Sequence, residues 1–196
     1  MKTHLTFLSL VILLNACDYG AEKQQNSSSA NGNAVVQDEL FSMEKIPGSG
    51  HQIATKKDPV GKVTEVGITD AKGLKNGVWV IYQGEGGYPA KIASYVNGVY
   101  NGPYFEFDGF GQMLLSANYK NNKFHGTVAK FLNGNLAQES SYKEGILDGV
   151  YKEYSRSGSI QKEINYKNGK LDGPFRYYDE DGKVNLEYNY KNGKQQ

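Results

Sequence analysis

Apolar and polar side chains alternate in the last long run of the chain. Val184, Leu186, Tyr188 and Tyr190 are interleaved with Asn185, Glu187, Asn189 and Lys191. Successive side chains of an extended backbone point to opposite faces, so period two predicts a strand with one buried and one wet face. The same columns hold Ile160, Lys162, Ile164 and Tyr166 one unit earlier, and Met113, Leu115, Ala117 and Tyr119 three units earlier. Each unit has another predicted strand, whose columns carry Trp79, Tyr104, Val128, Tyr151 and Phe175. Three residues later come Tyr82, Phe107, Phe131, Tyr154 and Tyr178. A spacing of three puts these two columns on opposite faces of a regular strand. Either a bulge restores parity or one aromatic column stays exposed, and the sequence leaves both open.

The pattern recurs every 23 to 25 residues from Gly73 onward. Its phrase is Tyr-x-x-Gly-x-x-x-Gly, read at Tyr95…Gly98…Gly102, Tyr119…Asn122…Gly126, Tyr142…Gly145…Gly149 and Tyr166…Gly169…Gly173, with a further start at Tyr190…Gly193. So short a period predicts a stacked array in which no unit buries its apolar face alone. Gly111, Gly134, Gly158 and Gly182 sit late in the hairpin turns, where a loop of three to five residues needs positive φ. Asn122 replaces Gly at one connector, and Asn is the next-best residue for a left-handed conformation.

These units resemble the MORN repeat, and more closely its bacterial variant. The resemblance is carried by Tyr166-Lys-Asn-Gly-Lys-Leu-Asp-Gly-Pro-Phe-Arg-Tyr-Tyr-Asp-Glu-Asp-Gly182 and covers about residues 61 to 193. It implies an all-β fold, a line of hairpins forming one elongated, twisted antiparallel sheet. The variant also occurs in YwqK-like antitoxins of toxin–antitoxin pairs. That implies a protein partner, with an exported toxin among the candidates.

The first residues read differently. Lys2 precedes the apolar run Leu5–Leu14, too short for a membrane span and suited to a secretory signal. Leu14-Asn-Ala-Cys17 then resembles the lipobox of bacterial lipoproteins. The resemblance implies cleavage before Cys17, acylation of its thiol and anchoring to a membrane. Acyl chains anchor at about 0.8 kcal/mol per buried CH₂. The expected organisation is a signal peptide over 1–16, a tether over 17–33, a capping segment over 34–60 and the repeat array over 61–196. The Ser/Asn/Gln-rich tether has too little apolar surface to order itself, and about twenty such residues span on the order of 25 Å. A cap is expected because an array has an edge strand to cover. Asp18 leaves the choice of membrane and leaflet open.

Composition narrows the function classes. The 22 Lys and Arg nearly balance 21 Asp and Glu, so no basic field invites nucleic acid. Beyond the signal segment the chain has His51 and His125, neither in a metal-ligand cluster. Gly84-Glu-Gly-Gly87 lacks the Lys and hydroxyl of a phosphate loop and reads as a turn. Asp179-Glu-Asp-Gly182 resembles the start of a calcium loop, but Tyr190 stands where the closing Glu belongs. No catalytic set, metal site or cofactor is implied. The recurring Tyr95, Tyr119, Tyr142, Tyr166 and Tyr190 should stack along one face, chiefly as packing. Candidate contacts are the first-strand columns: Trp79, Tyr104, Tyr151 and Phe175, or Tyr82, Phe107, Phe131, Tyr154 and Tyr178. The expected function is a lipid-anchored, non-catalytic module that binds a cell-envelope protein. The alternative is a binder of envelope glycan or peptidoglycan.

Overall fold

Aromatic and β-branched residues between Gly- and Asn-containing turns favour paired strands over helices. The computed structural model describes residues 33–83 and 87–196, which lie in one unit, Asn33–Gln196. The expected signal peptide, Cys17, the expected tether up to residue 32 and Gly84–Gly86 fall outside the described residues.

Among the described residues, fifteen strands form one antiparallel sheet. After a 3₁₀ turn at Asp38–Leu40 come β1 (Ser42–Lys45), β2 (His51–Lys57), β3 (Val63–Asp70), β4 (Lys75–Tyr82) and β5 (Pro89–Val96). They are followed by β6 (Val99–Phe107), β7 (Met113–Lys120), β8 (Lys123–Phe124), β9 (Gly126–Leu132) and β10 (Asn135–Lys143). The last are β11 (Ile146–Tyr154), β12 (Ile160–Lys167), β13 (Lys170–Tyr178), β14 (Val184–Lys191) and β15 (Lys194–Gln195). Strand order follows chain order, with β8 set beside β7 off the main path. Segment 34–60 therefore supplies two strands to the sheet. The boundary drawn at residue 61 falls inside the β2–β3 hairpin turn.

Each connector pairs with the one before it. Gly98 N donates to Lys75 O, Asn122 N to Tyr100 O, Gly145 N to Phe124 O, Gly169 N to Leu147 O and Gly193 N to Leu171 O. Asp148 and Asp172 reinforce this stacking by accepting from the backbone N–H groups of Asn168 and Asn192. The expected left-handed positions are present: Gly111, Gly134, Gly158, Gly182 and Asn122 all have positive φ. Asn97, Asn121, Glu144, Asn168 and Asn192, one residue earlier in the connectors, are also left-handed. The connector turn thus takes two successive residues through positive φ, as a primed turn does.

The two sheet faces differ sharply. Cross-strand partners share a face, and pairing places Ala54, Gly67, Trp79, Ala93, Tyr104, Ala117, Val128 and Ser140 in one row on the first face. Small residues on one strand of a pair accept large rings from the other. Nearly every buried side chain among the described residues lies on this face. At its N-terminal end Val36 is buried and the Phe41 ring stands edge-on to Trp79 at 6.0 Å. Segment 34–36 also bonds to the first connectors, through Ala34 N to Gly98 O and Val36 N to Gly73 O.

Bulges occur in each full hairpin, on the strand opposite the aromatic columns. Ile81 pairs with Lys91 but Tyr82 with Pro89, leaving Ala90 as the extra residue. Leu114, Ala137, Gln161 and Asn185 are the extra residues in later hairpins. The regular alternation expected over Val184–Lys191 is corrected here. The extra residue Asn185 turns Val184 to the second face while Leu186, Tyr188 and Tyr190 stay on the first. The expected buried face is also absent from most of β14: Val184, Leu186 and Tyr188 are exposed, because β15 covers only Tyr190 and Lys191.

Candidate interaction surface

The first-face column is packing. Trp79 is 1 % exposed, and its indole N–H donates to Ile68 O at 2.9 Å. Lys75 Nζ lies 4.0 Å from the Trp79 ring centroid and pairs with Glu65. Tyr104 is buried and its hydroxyl donates to Glu106 at 2.6 Å; Tyr151 repeats the bond with Glu153 at 2.6 Å. Burial, then the neighbouring carboxylate, pushes both phenols well above their usual pKa. Trp79 and Tyr104 are out of a partner's reach, whereas Tyr151 and Phe175 are half-buried.

The connector tyrosines lie beside this column, and two residues absent from the sequence reading join them. Tyr95, Tyr100, Tyr119, Phe124 and Tyr142 form a run of touching rings, with successive centroids 4.7, 5.1, 4.7 and 5.3 Å apart. Tyr100 and Phe124 occupy the second residue after the connector Gly or Asn, a position filled by Leu147 and Leu171 later. His125 takes the position that Asn76, Asp148 and Asp172 use to accept the next turn's N–H, and its Nδ1 is buried without a hydrogen bond.

The opposite column lies on the second face. Tyr82, Phe107, Phe131, Tyr154 and Tyr178 are half-buried, each paired across its hairpin with Pro89, Met113, Leu136, Ile160 or Val184. The bulges create these pairs. Tyr154 donates to Glu139 at 2.6 Å, and burial with that carboxylate pushes its pKa up to about 12.

The middle row of the second face divides along the sheet. From β3 to β6 it reads Val66, Val80, Ile92 and Phe105, cross-strand neighbours in sequence. From β10 to β14 it reads Glu139, Lys152, Glu163, Arg176 and Glu187. In the charged half, Arg176 bridges Glu163 at 3.3 Å and Glu187 at 2.6 Å. In the apolar half the row is half-buried, while Val78 and Ile53 beside it are exposed. No second sheet among the described residues lies against this face. Uncovered apolar area of this kind marks contact surfaces.

The described residues contain no group of three or more His, Cys, Asp or Glu able to hold a metal. Asp179 Oδ1 is engaged in its own turn, accepting from the N–H groups of Asp181 and Lys183. No helix among the described residues is long and apolar enough to cross a membrane.

Residues 147–168 and 171–192 match the MORN repeat variant. These are the two hairpins β11–β12 and β13–β14, so the matched family and the observed sheet agree unit by unit. The MORN repeats suggest a protein- or membrane-interaction module. No curated protein matches the chain.

Proposed function

We propose that this chain is a non-catalytic protein-interaction module, held at a membrane of the cell envelope through lipid on Cys17. Its partner seats on the apolar half of the second face. The observation that carries this reading is the uncovered row Val66, Val80, Ile92 and Phe105 with exposed Val78 and Ile53 alongside. The desolvated centre of a protein interface is apolar and poor in charge, which is the chemistry of this row. A glycan platform needs polar groups placed round a ring to fix the sugar, and this row supplies aliphatic side chains and one Phe. Neutralisation of an exported toxin is the form of protein binding that the resemblance to YwqK-like antitoxins favours.

A photo-crosslinking residue placed at Val80 or Ile92 in the full chain, in its own cells, tests the reading. The expected result is one shared covalent adduct from both positions and none from Lys152 in the charged half. No adduct, or equal adducts from all three positions, would remove it.

A further inference from the structure

We propose that Asn133 is a site of spontaneous covalent modification, where the β9–β10 turn converts to a mixture of isoaspartyl and aspartyl links. The reaction needs no partner, so it stands or falls apart from the reading of the second face. The chain contains its own control, because two Asn-Gly turns have nearly the same backbone. Asn133–Gly134 joins Leu132 to Asn135 with φ of 51° and 76°. Asn168–Gly169 joins Lys167 to Lys170 with φ of 49° and 76°. All four turn residues are exposed.

Hydrogen bonding separates the two turns. Gly169 N donates to Leu147 O at 2.8 Å, because its connector stacks on the one before. Asn168 N is tied as well, to Asp148. Gly134 sits at a hairpin tip, outside the connector stack, and its N–H has no hydrogen-bond partner among the described residues. The side-chain amide of Asn133 has none there either, while its backbone carbonyl accepts from Asn135 Nδ2 at 3.3 Å. The other described Asn-Gly pairs are held. Gly98 N and Gly193 N donate to Lys75 O and Leu171 O, and Asn101–Gly102 lies within β6. Asn76 is locked at both ends of its amide, accepting from Asn97 N and donating to Leu74 O.

A free amide nitrogen next to a free Asn side chain is the reactive arrangement, and glycine has no Cβ to shield that nitrogen. Base takes the Gly134 N–H proton, and the nitrogen attacks Asn133 Cγ. The side-chain nitrogen leaves as ammonia, which closes a succinimide. Water then opens the ring. Attack at Cγ gives an ordinary aspartyl link. Attack at the backbone carbonyl breaks its bond to Gly134 N and leaves the chain running through Cγ, an isoaspartyl link. The net change is uptake of water and release of ammonia. Both products carry a carboxylate where the amide was neutral. The isoaspartyl link also adds a backbone atom to a two-residue turn, whose length sets Leu136 opposite Phe131. The Gly169 nitrogen can follow this course only after its bond to Leu147 O opens.

The test incubates the full chain at about pH 8.5, below the range in which tyrosines ionise, and follows each Asn-Gly peptide by mass spectrometry. Electron-transfer fragmentation separates isoaspartyl from aspartyl products. In the folded protein Asn133 should convert about ten-fold faster than Asn168, the scale of one hydrogen bond that must first break. In denaturant neither turn keeps its bonds, and the two rates should converge. Gly134→Ala, whose added Cβ shields the nitrogen, should slow Asn133 and leave Asn168 unchanged, with a melting curve confirming the fold. Equal rates in the folded chain, or a difference that persists undiminished in denaturant, would overturn the proposal.

Discussion

Trp79 lies flat against Gly67, so close that a Cβ built on Gly67 would stand 2.2 Å from ring atom Cδ2. Gly67 has no positive φ, so the requirement for glycine here is steric. The indole cannot swing away without losing its bond to Ile68 O. Ala54 and Ala93, also fully buried, occupy neighbouring positions in the row and leave no room for adjustment. Gly67→Ala should cost about 1–3 kcal/mol through overpacking. Trp79 is the single tryptophan, so its fluorescence during denaturant unfolding reports the site directly. An unchanged midpoint would mean that the ring and the glycine are not in contact.

Gly149 and Gly158 separate two reasons for glycine. Both have positive φ, +119° and +87°, but a Cβ on Gly149 would meet Ser141 Cβ at 2.8 Å, whereas Gly158 has open space. Gly158→Ala should cost about 1 kcal/mol, from the backbone alone. Gly149→Ala adds the collision and should cost about 1–3 kcal/mol, the larger of the two. Thermal melts of the two variants check the order.

Glu144 holds a left-handed φ of 52° at a turn position that Asn occupies in the neighbouring connectors. Its ion pair with Lys120, 3.5 Å long and more than half exposed on both sides, contributes little. Glu144→Asn should raise stability by about 0.5 kcal/mol, since Asn tolerates this conformation better. A lower melting temperature would show that the ion pair outweighs the turn.

Alkali should unfold this sheet through its tyrosines. Burial raises the phenol pKa of Tyr95, Tyr104, Tyr119 and Tyr151 well above the usual value, and that of Tyr154 to about 12. Unfolded tyrosines ionise near pH 10, so above it the unfolded chain holds fewer protons than the folded one. This contribution is fully present below about pH 10 and is lost as pH rises through the folded values. Denaturant midpoints should fall between about pH 10 and 12, and phenolate absorbance should rise in step with unfolding. Free titration of all tyrosines before any loss of structure would contradict the buried ladder.

Much of the fold was legible because turn chemistry and period two act locally. Gly111, Gly158 and Gly182 announce hairpins, and the connector Gly-x-x-x-Gly announces the join between them. The Tyr100 and Phe124 contacts were not legible. Each is separated from its first-strand column by an arch of three residues facing one on the neighbouring strand, as with Asn101–Pro103 opposite Ser94. Counting along a regular strand misplaces rings across such an arch. Bulges hid in the same way, since Asn185 interrupts a sequence that still alternates. The split of the second face is a property of cross-strand rows. Val80, Ile92 and Phe105 are far apart in sequence and adjacent only once register is known.

Tyr104 and Phe105 are consecutive and point to opposite faces, and one comparison between them tests the account most directly. Tyr104→Ser should lower stability by about 3 kcal/mol, because it empties a buried site. Phe105→Ser, at a half-buried position, should cost less stability than Tyr104→Ser, yet abolish the covalent adduct formed from a crosslinker at Val80. Full adduct formation by a folded Phe105→Ser variant, or wild-type stability in Tyr104→Ser, would contradict the assignment of one face to packing and the other to the partner.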